Sequence, residues 1–242
     1  MSDILKTLQK RSRGRCAAVV VAAGNSTRMG EDKLLLELGG VPVLARTLCA
    51  LDHCAAIDEI VLVARTETAE AFAALRSRYA IHKLSRIVLG GATRTESALA
   101  GVSECAKDTG VICVHDGARC LVTPEIVEDA VHTAALHFAA APAIPVKDTV
   151  KRAENGVVTE TPAREELFAV QTPQAFRADL IKAALTRAVA QGLSFTDDCA
   201  AVEALGVPVH LSRGSEENIK LTTPADLAVA ATILRRRGEA GA

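Results

Sequence analysis

Arg28 and Lys33 lie five residues apart in AAGNSTRMGEDK, directly after the apolar run AAVVVA. A guanidinium can fork onto two phosphate oxygens, and an ammonium supplies a mobile point charge. Ala22, Ala23 and Gly24 ahead of them lack bulk, so the backbone there can approach a ligand and offer N–H donors to phosphate. The spacing is neither G-x-G-x-x-G nor G-x-x-x-x-G-K-[ST], so the dinucleotide fingerprint and the P-loop are both poor matches. Taken alone, the loop is equally a plain turn with two exposed cations. Gly90-Gly91 is a second place of close backbone approach, and Ser97 beyond it can donate to a base or a ribose. Asp116 ends another apolar run, where a carboxylate can help hold Mg²⁺ or a substrate hydroxyl. Pairing with Arg119, three residues on, is its plainer role.

These residues need a scaffold, and the chain has one to offer. Short β-branched runs at 17–22, 58–64, 85–89, 110–115, 141–146 and 207–211 read as strands. Segments of helical periodicity at 42–53, 67–79, 95–107, 124–140, 177–191, 197–205 and 224–237 lie between and after them. Thr123-Pro124 and Thr223-Pro224 each place a capping hydroxyl before a proline at the first helical position. Strands apolar on both faces and separated by helices predict an α/β fold with a mostly parallel sheet covered on both sides. In such sheets ligands bind beyond the carboxyl ends of the strands, where the Arg28–Lys33 loop leaves the first one. Residues 147–175 break the rhythm. There Glu154-Asn155-Gly156 signals a hairpin turn between VKRA and VVTE. A hairpin that buries little of its own leans on a partner, unless it is a solvated loop.

Composition narrows the classes. The 242 residues are 49% apolar and 24% charged, which fits one generous soluble domain. Aromatics make up 2% and Trp is absent, too few for a base-stacking platform, and a net charge of −1 gives no field for a polyanion. We therefore expect no nucleic-acid partner. Seven cysteines without a C-x-x-C pair read as reduced thiols of a cytoplasmic protein. The histidines are scattered, with no H-E-x-x-H, so a metal held by protein ligands alone is not expected. The basic stretch 6–15 precedes an apolar run too short for a membrane span, and residues 1–14 read as a loose extension.

The motifs then join. GGATRTES at 90–97, VHDGAR at 114–119, VKDTVK at 146–151, QTPQAF at 171–176, FTDD at 195–198 and ENIKLTTPADL at 217–227 follow the first loop in order. With them the chain resembles the 2-C-methyl-D-erythritol 4-phosphate cytidylyltransferases from about Cys16 to Arg235. The first loop also looks like that of the molybdenum-cofactor nucleotidyltransferases, which lack the later motifs. It departs from the usual pattern at Asp32, Ala92, Gly117 and Cys120, where Pro, Asp, Ala and Pro are common. The resemblance implies a Rossmann-like nucleotidyltransferase fold in a single domain over 1–242, with a dimerisation arm projecting at 147–170. It implies catalytic roles for Arg28 and Lys33, and nucleotide binding by Ala22, Ala23, Gly24, Gly90, Gly91, Arg94 and Ser97, largely through main-chain groups. Asp116, Thr149, Arg164, Thr196 and Lys220 would form the cradle of the methylerythritol phosphate, with Thr149 and Arg164 reaching a neighbouring subunit's site. Mg²⁺, held mainly by the CTP phosphates with Asp116 as its candidate protein ligand, completes the expectation. The open alternatives are a ribitol 5-phosphate cytidylyltransferase and a catalytically silent nucleotide-binding protein.

Overall fold

The computed structural model of the protein describes residues 14–24 and 32–239. Arg28 and most of the expected N-terminal extension lie outside them. Strand β1 (Arg15–Val21) runs into a turn, and a small hairpin, β2 (Glu37–Leu38) with β3 (Val41–Pro42), leads into helix α1 (Val43–His53). Then follow β4 (Glu59–Ala64), α2 (Thr66–Arg78), β5 (Leu84–Leu89), α3 (Arg94–Ser103), β6 (Thr109–Asp116), α4 (Pro124–His137) and β7 (Ala139–Pro145). A separate hairpin follows, β8 (Arg152–Glu154) with β9 (Val157–Glu160). The chain returns through β10 (Phe168–Val170) and β11 (Gln174–Arg177) to α5 (Ala178–Ala190), α6 (Asp198–Glu203), β12 (His210–Arg213) and α7 (Pro224–Arg237).

Strand β1 lies between β4 and β6, parallel to both, and β5 extends the sheet beside β4. Side chains alternate across β1. Cys16, Ala18 and Val20 pack with Leu44, Leu48, Phe72 and Ile126 on one face, and Ala17 and Val19 pack with Ala98, Val102, Ile181 and Leu185 on the other. Two-sided burial explains why β1, β4 and β6 read as continuous apolar runs. Gly101 lets α3 approach closely, since a Cβ there would overlap Val19 and Val63. The carboxyl ends of β1, β4, β5 and β6 meet at one edge, which therefore carries the turns at 22–24, 90–93 and 117–119.

Two corrections concern the far side of the sheet. The helix expected over 124–140 stops at His137, because Phe138 takes φ 76° and Ala139 already begins β7. Strands β10 and β11, absent from the sequence reading, are antiparallel, and β11 wedges between β6 and β7. Each has only three or four residues in a polar, proline-containing stretch, so no periodicity marks them; β10 is a strand by its pairing with β7, and β11 by its pairing with β6 and β7, where it is buried. Ala140 pairs with both Ala175 and His210, so β12 flanks β7 on its other side. The helix caps divide as well: Asp226 accepts from the Thr222 and Thr223 amides, whereas Thr123 makes no side-chain cap bond. The hairpin forms where Asn155-Gly156 predicts it, with φ 49° and 81° at the two turn residues. It is a separate two-stranded sheet, and every residue of both strands is exposed.

Candidate active site

A cleft of about 210 Å³ opens at the carboxyl edge of β1 and β6, lined among others by Ala22, Gly24, Lys33, Arg94, Asp116 and Lys220. Its first wall is the turn that follows β1. The Ala22 amide donates to Val63 O at 2.8 Å, so phosphate-facing amides have to come from beyond Ala22. Asp32 starts the turn that carries Lys33: its Oδ1 accepts the Leu34 amide at 3.1 Å and its carboxylate pairs with Arg65. This explains what the residue does where proline is common.

At the centre stands Asp116, at the end of β6. Lys220 Nζ lies 2.9 Å away, Arg119 Nε 3.7 Å and an Arg94 Nη 3.9 Å. Burial by itself raises the Asp116 pKa, but the Lys220 ammonium, with Arg94 and Arg119 behind it, outweighs burial and holds the carboxyl below its usual range. Three cations brought by three segments converge on one carboxylate, so the surplus charge favours an anionic ligand. The same crowd of cations repels a divalent ion, so Asp116 fits poorly the metal-ligand role expected of it. Among the described residues no group of three His, Cys, Asp or Glu side chains is placed to hold a metal.

The Asp116–Arg119 turn is held from behind. Thr172 Oγ1 accepts the Asp116 amide at 3.1 Å and lies 3.0 Å from Nδ1 of the fully buried His115, whose Nε2 faces Arg119 O at 3.2 Å. A carbonyl only accepts, so Nε2 carries the ring proton and the Thr172 hydroxyl donates to Nδ1. Burial pushes the His115 pKa down to about 4, and the ring stays neutral. Asn218, also fully buried, donates to Thr172 O at 3.0 Å, while Arg119 donates to Asn218 O at 2.7 Å. Lys220, two residues on, is thereby stitched to the Asp116 turn.

The second expected patch forms beside the cleft. A Cβ on Gly90 would come within 2.8 Å of Ser97 Oγ, so glycine allows the loop to close on α3. Ser97 is buried; it accepts the Gly91 amide at 3.2 Å and donates to Thr93 O at 2.9 Å. Its proton is thus engaged inside the loop. Glu96 accepts the amides of Ala92 and Thr93, and the Gly90 amide donates to Ala64 O. All four amides from 90 to 93 are engaged within the chain.

Of the sequence-predicted residues, the structure brings Ala22, Gly24, Lys33, Arg94, Asp116 and Lys220 into one cleft and sets Ala23, Gly90, Gly91 and Ser97 beside it. Thr196 is exposed and adjoins Asp198, which pairs with Arg94. Thr149 and Arg164, in the segments flanking the β8–β9 hairpin, are exposed and do not line their own chain's cleft; Arg164 donates to Lys147 O at 3.1 Å. Arg28 lies outside the described residues. The sequence reading did not single out His115, Thr172, Asp198 and Asn218. Each sits inside a quoted motif; for His115 a polar side chain within an apolar strand was the available signal, whereas Thr172, Asp198 and Asn218 lie outside strands among other polar residues.

Comparison with known proteins accords with this geometry. A family model described as IspD, 2-C-methyl-D-erythritol 4-phosphate cytidylyltransferase, matches residues 16–236. The enzyme of that name from Halalkalibacterium halodurans is 44% identical over 223 residues, covering 91% of this chain and 97% of that protein. Its namesake from Pelotomaculum thermopropionicum is 44% identical over 227 residues, covering 92% and 95%. Among solved structures, the 4-diphosphocytidyl-2C-methyl-D-erythritol synthase of Anaerococcus prevotii superposes with a TM-score of 0.82 at 30% identity, covering 93% of this chain and 97% of that one. The Thermus thermophilus cytidylyltransferase gives 0.75 at 30% identity, covering 90% and 98%. With its fold and nearly its whole length in common with these proteins, the chain belongs to the 2-C-methyl-D-erythritol 4-phosphate cytidylyltransferase family.

Proposed function

We infer that the protein transfers CMP from CTP to 2-C-methyl-D-erythritol 4-phosphate, giving 4-diphosphocytidyl-2-C-methyl-D-erythritol and pyrophosphate in non-mevalonate isoprenoid biosynthesis. The observation that carries this reading is the Asp116 cluster: a carboxylate for the polyol and a surplus of cations for phosphate, in one cleft with Lys33. The acceptor phosphate is itself the nucleophile and is ionised at neutral pH, so no general base is needed. His115 does not supply one, since it is fully buried with both ring nitrogens engaged. The work of the site is to align two anions and to stabilise charge on the α-phosphate and the leaving pyrophosphate. Lys33 and Arg28 serve that role, Lys220 serves the acceptor, and Mg²⁺ enters with CTP as part of the substrate.

Engagement of the 90–93 amides leaves carbonyls for base recognition, and carbonyls suit the exocyclic amino group of cytosine. The exposed arm, with Val157 68% and Val158 55% accessible, supports a symmetric dimer in which Thr149 and Arg164 complete the neighbour's site. All seven cysteines are free thiols, and among the described residues no helix is long and apolar enough to cross a membrane; both support a cytoplasmic enzyme. Pyrophosphate release with CTP and Mg²⁺ tests the reading. Methylerythritol phosphate should be used well above ribitol 5-phosphate, and equal or greater efficiency with ribitol 5-phosphate overturns the assignment.

A further inference from the structure

Asp198, in the first turn of α6, is completely buried, and Asp residues are almost never so unless paired. Its Oδ2 lies 2.7 Å from Nη2 of Arg94, a residue 104 positions earlier in the chain at the start of α3. Its Oδ1 has no hydrogen-bond partner. The same Arg94 nitrogen is 3.9 Å from Asp116 Oδ1, so one guanidinium stands between two carboxylates, closer to the buried one. Without the Asp198 charge, Arg94 would be drawn onto Asp116 and would compete there with Lys220 and with a substrate hydroxyl. The segment before Asp198 is tied to the same helix: the Phe195 amide donates to Thr95 Oγ1 at 3.2 Å. Gln174 holds it from the sheet side, its Oε1 accepting the Asp198 and Cys199 amides and its Nε2 donating to Asp197. Thr196 is bracketed between these anchors.

We propose that Asp198 is a positioning residue: it holds Arg94 off Asp116 and, with the Phe195–Thr95 bond, sets Thr196 beside the acceptor site. The proposal rests on the reading of Asp116 and Thr196 as acceptor-binding groups. A double-mutant cycle tests it. Asp198→Asn should lower kcat/KM for methylerythritol phosphate roughly tenfold or more, whereas in the Arg94→Ala background it should change kcat/KM less than about twofold, because the group it holds is gone. An equal loss in both backgrounds overturns the clamp. Turnover by the wild-type protein tests the assigned reaction, and only ratios between variants test Asp198. The same cycle read by thermal unfolding needs no substrate. Arg94→Ala leaves a buried unpaired carboxylate and should lower Tm, and adding Asp198→Asn should recover part of that loss. A further fall in Tm overturns the proposal. If Asp198→Asn does not fold, Arg94→Lys gives the answer: the lysine ammonium ends one bond short of the Arg94 nitrogen that stands between the two carboxylates and has no fork, so a loss of about fivefold or more in kcat/KM is expected, and wild-type kcat/KM overturns the clamp.

Discussion

His115 ties conformational stability to pH in a way that can be worked out in advance. Its pKa falls from the ordinary 6.5 to about 4 because burial penalises the imidazolium. Between those values the unfolded chain binds a proton that the folded chain refuses. Stability therefore rises with pH across this window, and the contribution is lost as pH falls from about 6.5 towards 4. The full difference is worth about 3 kcal/mol; about 1 kcal/mol is lost at pH 6 and about 2 kcal/mol at pH 5, relative to pH 8. Asp198 acts in the opposite sense. Burial raises its pKa despite Arg94, so the folded state holds the extra proton and this contribution falls as pH rises through the raised value. Asp116, with a lowered pKa, adds stability only above the ordinary carboxyl range and loses it in stronger acid. The comparison must therefore be made between proteins that differ at His115 alone. His115→Gln keeps one donor and one acceptor and cannot titrate. Urea unfolding of both proteins from pH 5 to pH 8 should show the wild type losing about 2 kcal/mol more than the variant over that range. Parallel pH curves, or an imidazole that titrates near 6.5 by NMR, would refute the reasoning.

Lys33→Ala should reduce turnover by roughly 10²–10³, the scale for removing one preorganised donor to developing charge, with a smaller effect on CTP binding; steady-state kinetics with CTP varied checks both. Lys220→Ala removes the cation 2.9 Å from Asp116 and should weaken use of methylerythritol phosphate by about 1.5–3 kcal/mol, roughly 10–150-fold in kcat/KM, while KM for CTP moves less than about threefold. If the arm completes the neighbouring site, co-refolding equal amounts of Lys33→Ala chains and chains lacking both Thr149 and Arg164 side chains should restore about a quarter of wild-type activity through random pairing. Activity no higher than the average of the two parents, with mixed dimers verified, contradicts the shared site.

Local pattern carried much of this protein. Apolar runs bounded by turns mark β1, β4, β5 and β6 to within two residues; in β1, β4 and β6 the side chains are buried on both faces and must be apolar whatever their partners, whereas β5 is a largely exposed edge strand. Asn155-Gly156 specified its turn because both residues tolerate left-handed φ. Gly90 stands where the loop closes on α3, and Lys33, placed after the first strand, lines the cleft at that strand's carboxyl end. Tertiary structure decided what depends on distant pairing. Strand β11 has no periodicity of its own, and its place between β6 and β7 comes from the hydrogen bonds those strands offer. His115 and Thr172 are 57 residues apart, Arg94 and Asp198 104 apart, and Arg119 meets the Asn218 carbonyl across 99. Sequence shows His115 as a polar letter inside an apolar run, and Thr172, Asp198, Asn218 and Arg94 as polar letters beside other polar ones, with nothing to mark their partners. Burial then requires each to find a partner, and which partner it finds is set by the packing of the sheet edge, because an unpaired polar group inside the protein costs more than the bond it replaces.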